Sequence, residues 1–342
     1  MSTLRFDLLL IVAWLSVASG CSHTPRAAES PAALPHPQLH AEAVALAAFV
    51  ESPLAKEFLI AVGGLPVPEP RVLYRDKKRS FLTPAAVATL AAEELAALEK
   101  ITIEGERFYT TKYGTPLAYS RVLDIAAAYG FGDPANKRVL DFGYGSIGQL
   151  RLLATLGVHA VGVDVDSLLV ALYSQPIDQG AIANANGPDG SVTLVHGQWP
   201  AEKQAVAEVG QGYDLISSKN TLKRGYIHPG HQVDPRLLVH LGVNDAAYLK
   251  ALYGALNPGG LVVIYNICPA QNPEKYIPWA DGRCPFSRED IEHAGFETLE
   301  YDANDDRNTR EMARRLGWDE GPGAMDLATD LFGTYTVLRR PR

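Results

Sequence analysis

Residues 139–164 constrain the fold more than any other stretch of the chain. Val139, Leu140, Asp141 and Phe142 read as a short buried strand, and Gly143, Tyr144, Gly145, Ser146, Ile147 and Gly148 follow as a turn. Helical spacing runs over 147–156, Gly157 stops it, and 160–163 forms a second strand that ends on Asp164. Glycine lets a backbone approach a ligand closely, because no Cβ intervenes. A helix start offers unpaired N–H groups, and an acid after the second strand accepts hydrogen bonds from ribose hydroxyls. The unit outlines a site for a nucleoside cofactor.

The spacing of Gly143, Gly145 and Gly148, with Asp164 about 20 residues on, fits the dinucleotide fingerprint and taken alone suggests NAD. Other features favour S-adenosylmethionine. Asp141, just before the first glycine, suits a ligand amino group and repels a pyrophosphate. The unit follows a long N-terminal section. Asn257-Pro258-Gly259-Gly260 is a turn that leads into the apolar run 261–265, and the runs 296–301 and 334–338 are able to pair as an antiparallel hairpin.

This combination resembles the class I S-adenosylmethionine-dependent methyltransferases over roughly residues 105–340. The motifs stand as VLDFGYGSIG, VGVDVD, YDLISSKN and NPGGLVVIYN. The family commonly places its third glycine one residue earlier, where this chain has Ile147. The resemblance implies an α/β fold: a Rossmann-like, seven-stranded, mostly parallel sheet with an antiparallel C-terminal strand, preceded by an N-terminal helical cap. It implies S-adenosylmethionine as cofactor. Asp141, Gly143, Gly145, Ser146 and Gly148 would hold its methionine portion and Asp164 its ribose. Gln198 and Trp199, in the loop after the third strand, would meet the adenine. Lys219, Asn220 and His228, after the fourth strand, would face the methyl acceptor. Trp199 also reads as a core residue, and the histidines as incidental to a solvated loop. The Asn-Pro-Pro-Tyr pattern of amino-methylating relatives does not occur, which disfavours an exocyclic DNA amine as acceptor. A small polar or anionic acceptor, methylated on oxygen or nitrogen, is the expectation. An NAD-dependent oxidoreductase and a non-catalytic envelope binding protein on the same fold remain the alternatives.

The chain of 342 residues is long enough for one large domain plus an extension. Its net charge of −8 lacks the basic footprint of a nucleic-acid binder. The run 8–18 is apolar, too short to span a bilayer but right for a signal-peptide core. Ala18-Ser19-Gly20-Cys21 resembles a bacterial lipobox. By that resemblance 1–20 is a signal peptide, Cys21 is lipidated and ties the chain to a membrane, and Ser22 directs it to the periplasmic face of the outer membrane. A misassigned start would instead leave the protein in the cytoplasm. Residues 21–38 read as a flexible tether, 39–104 as the helical cap and 105–342 as the methyltransferase domain. Such enzymes normally work where S-adenosylmethionine is made, so the envelope address and the activity pull apart.

Within the cap, helices are expected over 40–50, from Ser52-Pro53 to Gly63-Gly64, and from Thr83-Pro84 to about Leu98; Thr115-Pro116 opens another that ends near Gly130. Ser287 with Asp290 makes a capping box for a later helix. Tyr109 and Tyr113 read either as closing the pocket or as packing the cap. His228, His231 and Asp234 lack a recognised metal-ligand pattern, and no metal is expected. Cys268 and Cys284 read either as a disulfide or as separate thiols.

Overall fold

The computed structural model describes residues 34–110 and 114–342. The stretch read as a signal peptide, Cys21, most of the stretch read as a tether, and residues 111–113, Tyr113 among them, lie outside the described residues. Residues 35–342 form one compact unit.

Its centre is an eight-stranded sheet. A small antiparallel sheet precedes it, with β1 Arg71–Arg75 between β2 Phe81–Leu82 and β3 Glu99–Ile103. The large sheet contains β4 Arg138–Phe142, β5 His159–Asp164, β6 Gly180–Ile182, β7 Gly190–His196, β8 Tyr213–Lys219, β9 Leu256–Pro269, β10 Glu297–Asn304 and β11 Leu331–Arg339. Its order is β10-β11-β9-β8-β4-β5-β7-β6. The strands β7, β5, β4, β8 and β9 pair in parallel, and β11 inserts antiparallel between β9 and β10.

The expected mostly parallel sheet with an antiparallel terminal strand is present. The expected strand count of seven is corrected to eight, because three residues, Gly180–Ile182, add an antiparallel edge to β7. The cap is likewise not purely helical. The helix expected from Thr83 breaks into Pro84–Val87 and Ala92–Ala96, and the chain then enters β3. Thr83 does cap the first of these, its side chain accepting from the Ala86 N–H. The first cap helix, Pro37–Leu46, begins inside the stretch read as tether.

Alternation along each strand fills both faces, since successive side chains point to opposite sides. Val139, Leu215 and Val337 join one core with the cap helices and helix Ser120–Ala128. Their neighbours Leu140, Ile216 and Leu338 join the other, beneath helices Lys203–Val209 and Asp245–Ala255. The cap shares the first core through Leu39, Leu46, Leu54 and Phe58. Asp124 fixes it there, accepting from the Ser52 N–H at 2.8 Å and the Ser52 hydroxyl at 2.7 Å.

The connections fix where a ligand belongs. From β4 the chain runs to β5 and β7 on one side, and it later returns to β8 and β9 on the other. The order reverses between β4 and β8. In open α/β sheets, ligands bind at such a switch point, beyond the carboxyl ends of the strands.

Candidate active site at the switch point

Two features meet at that edge: the glycine turn after β4 and a buried polar network between β4 and β8. In the turn, Gly143 and Gly145 adopt φ of 71° and 63°, the left-handed region that L side chains avoid. The Gly145 N–H donates to Asp164 Oδ2 at 3.2 Å, so the turn and the acid after β5 face each other. Asp164 Oδ1 accepts from the N–H groups of Val165 at 2.7 Å and Asp166 at 3.0 Å. Burial raises the Asp164 carboxyl above its ordinary value, and the backbone donors at Asp166, Gly145 and Val165 oppose that rise.

The third glycine has a different use. A Cβ on Gly148 would lie 2.3 Å from the Tyr109 carbonyl oxygen and 2.9 Å from Pro116 Cγ. Ser146 Oγ donates to the same carbonyl at 3.0 Å. Both residues therefore receive the segment that enters from the cap, and Tyr109 itself is fully buried with its hydroxyl on the Pro66 carbonyl. Gly148→Ala is expected to lower stability by about 1–3 kcal/mol despite alanine's better helix propensity. Urea denaturation checks this; an unchanged or raised midpoint would mean that Tyr109 and Pro116 yield without cost. Thr221 likewise closes on Gly143, where a Cβ would sit 2.3 Å from its Oγ1.

The polar network is built from residues far apart in sequence. Asp141 is fully buried, forms an ion pair with the Lys219 ammonium, and accepts from Ser217 Oγ at 3.2 Å. The Lys219 side chain is only 4 % exposed, and its Nζ lies 5.3 Å from the centroid of the Tyr119 ring. Burial pushes the Tyr119 hydroxyl up to about 12. Asn220 has φ 59°; its Nδ2 donates to the Tyr119 hydroxyl at 2.9 Å and its Oδ1 accepts from the Ile267 N–H at 2.7 Å. Both ends of the Asn220 amide are thus engaged by the protein. Sequence reasoning names Asp141, Lys219 and Asn220 but not Tyr119, Ser217 or Thr221, which join them.

Other sequence-predicted residues stand apart from this network. Trp199 is buried in the second core against Phe142 and Tyr248, the packing role rather than a pocket wall. Gln198 Nε2 donates to the His240 carbonyl at 2.7 Å. A cavity of about 340 Å³ does lie nearby, bounded by Tyr144, Leu169, Tyr173, Leu194 and His196 and by Thr83–Ala85 of the cap. His196 is the register partner of Asp164 across β5 and β7.

His228 Nε2 lies 2.8 Å from Asp245 Oδ2, at the start of helix Asp245–Ala255. A carboxylate on one ring nitrogen orients an imidazole and leaves the other free for proton transfer. His231 packs against Tyr276 with ring centroids 4.8 Å apart, and Asp234 pairs with Arg236. Among the described residues, no group of three or more His, Cys, Asp or Glu is disposed to hold a metal ion. Cys268 and Cys284 are separate buried thiols. Burial raises both, Cys284 to about 12. Burial also lowers Lys223, whose ammonium donates to the carbonyls of Ile267 at 2.6 Å and Trp279 at 3.2 Å.

No protein-family model matches the sequence, and no curated protein matches it. Among solved structures, the chain is similar to phosphoethanolamine N-methyltransferase 2 from Haemonchus contortus, at 13% identity and TM-score 0.40 over 85% of this chain and 76% of that one. It is similar to the 4+2 cyclase SpnF at 15% identity and TM-score 0.39, over 84% and 93% of the two chains. It is also similar to an S-adenosylmethionine-dependent methyltransferase from Mesorhizobium loti, at 17% identity and TM-score 0.36 over 65% and 98%. At these identities and TM-scores the likeness carries no argument about activity, and the geometry of the chain itself has to supply one.

Proposed function

We propose that the chain is an S-adenosylmethionine-dependent methyltransferase acting on a small polar or anionic acceptor. The observation that carries this reading is the glycine turn at the switch point, with the Gly145 N–H turned onto Asp164. The donor set suits the nucleoside half of the cofactor. Asp164 Oδ2 accepts one backbone N–H, which leaves acceptor capacity for ribose hydroxyls. The cavity beside Tyr144 and His196 has the size of a small-ligand pocket. At the methionine end Asp141 offers a carboxylate. The cofactor brings a methyl group activated by its sulfonium charge, and this chain's residues have only to position the acceptor and, where needed, remove its proton. The His228–Asp245 pair has the chemistry for that proton. The envelope address remains part of the proposal and is supported by residues 8–21 alone.

One observation favours a second reading, a binding protein that retains the fold without methyl transfer. Lys219 neutralises Asp141, and Asn220 has both amide ends engaged, so two residues expected at the reacting end are held by the protein. The same neutralisation removes the repulsion that Asp141 would exert on a pyrophosphate, so NADH belongs in the test.

Calorimetric titration of the full-length chain with S-adenosylmethionine and with NADH tests the reading. The expected result is a Kd on the order of 1–100 μM for S-adenosylmethionine, about −5.5 to −8.2 kcal/mol, and no heat with NADH. Binding of NADH alone would transfer the site to an oxidoreductase. Binding of S-adenosylmethionine without methyl transfer across a panel of small acids and amines would favour the binding protein.

A further inference from the structure

Helix Asp306–Arg315 carries Arg307, Arg310, Arg314 and Arg315, in a chain whose net charge is −8. Residues three, four and seven apart share one face of a helix. Arg307, Arg310, Glu311 and Arg314 therefore lie together, opposite the buried Thr309, Met312 and Ala313. That face borders a groove of about 800 Å³, which Ala48 and Phe49 of the cap also line. No residue lining it belongs to the switch-point network or to the cavity beside Tyr144. We propose that this groove is a second ligand site, for the phosphoryl group of an organic phosphoester, with the arginines on its oxygens and Phe49 against its carbon body.

Two of the guanidiniums are held in place without being neutralised. Arg310 Nε donates to the Leu331 carbonyl at 3.0 Å, and the group lies 5.2 Å from the centroid of the Phe332 ring. Arg315 Nη1 donates to the Ala45 carbonyl at 3.2 Å. The four arginines face two carboxylates, and both are already engaged. Glu311 is shared between Arg314 at 2.6 Å and Arg315 at 2.8 Å. Asp306 accepts from the Gly333 N–H at 2.9 Å and from Asn304 Nδ2 at 3.0 Å, and stands 3.8 Å from Arg310. Arg307 has no hydrogen-bond or ion-pair partner among the described residues. A guanidinium pairs with a carboxylate or a phosphate through two parallel hydrogen bonds. One fork suffices for a carboxylate, whereas several together suit a phosphoryl group, with its third oxygen and higher charge. The groove exceeds the volume of a phosphoryl group alone and falls in the range of small-ligand sites. A soluble phosphoester and an anionic lipid headgroup present this same chemistry. The inference stands apart from the cofactor reading and does not need it.

The test titrates phenyl phosphate and benzoate into the full-length chain at low salt, where exposed charges are least screened. Phenyl phosphate should bind with a Kd on the order of 0.1–1 mM, and benzoate about 10-fold more weakly. The variant Arg307→Gln/Arg314→Gln should lose about 10-fold for phenyl phosphate. Both side chains are exposed, so the urea midpoint should not move. A second arm sediments parent and variant with vesicles of phosphatidylglycerol and of phosphatidylcholine, and reads the ratio between the two. Binding of phenyl phosphate that the variant weakens identifies a soluble phosphoester as the source. A phosphatidylglycerol preference that the variant loses, without binding of phenyl phosphate, identifies the headgroup. Absence of both effects in the unaltered chain would overturn the site and leave the cofactor reading untouched. Benzoate binding as tightly as phenyl phosphate, or affinities unchanged in the variant, would overturn it as well.

Discussion

Lys219→Met is expected to lower the stability of the chain by about 3–5 kcal/mol, while Asp141→Asn/Lys219→Met lies close to the unaltered protein. The asymmetry follows from burial. The Asp141 side chain is inaccessible to water and Lys219 nearly so, so removing the ammonium leaves a carboxylate whose donor among the described residues is the Ser217 hydroxyl. One neutral hydrogen bond does not replace hydration of an ion. Asp141→Asn alone should lose a comparable amount, since the ammonium would then face an amide and the Tyr119 ring in place of a carboxylate. Removing both charges removes both desolvation costs. Urea unfolding of the two single variants, the double variant and the parent gives the coupling, expected to exceed about 3 kcal/mol. Additive losses would show that the two groups reach water separately and are not a pair. This cycle concerns the fold alone and is independent of any ligand.

The contrast between Asp141 and the rest of the site shows what a sequence carries and what it does not. The strand, turn and helix over 139–154 are local, and spacing alone reveals them. Caps are local too: Ser52, Thr83 and Ser287 each accept an N–H three residues on, as read from the sequence. Their neighbours in space are another matter. Asn220 meets Tyr119 across 101 residues, and Ser146 meets Tyr109 across 37. No periodicity encodes such pairings, so a glycine spaced for a cofactor, Gly148, turns out to receive the protein's own backbone.

The missed elements have similar physical reasons. Helix Asp306–Arg315 is so rich in charge that its buried face consists of Thr309, Met312 and Ala313, too small a stripe to stand out. β6 has three residues, and β2 has two. Strands so short have no alternation to read. The long, strongly apolar parallel strands were legible because both their faces are buried.

Asp164→Asn should weaken nucleoside binding by roughly 100-fold, or about 2.8 kcal/mol. The carboxylate accepts from Gly145 and still has capacity for ribose hydroxyls; an amide places a donor against one of these donors instead. Acid should reproduce the effect in the unaltered chain. Burial raises the Asp164 carboxyl above its ordinary value of 3.8, so on acidification it takes up a proton at a higher pH than a free aspartate. Binding should therefore fall as pH descends through that raised value. The stability contribution of the same group has the opposite sign. Between 3.8 and the raised value the folded state binds the proton more readily than the unfolded chain, so acidification through that window favours the fold at this residue. Loss of binding in acid without loss of the folded signal is thus the signature of Asp164. Titrations from pH 7 downward, with circular dichroism at each step, separate the two effects. The Asn variant, which has no proton to gain at this position, should show weak binding at every pH, and a descent like that of the parent would assign the effect to another group.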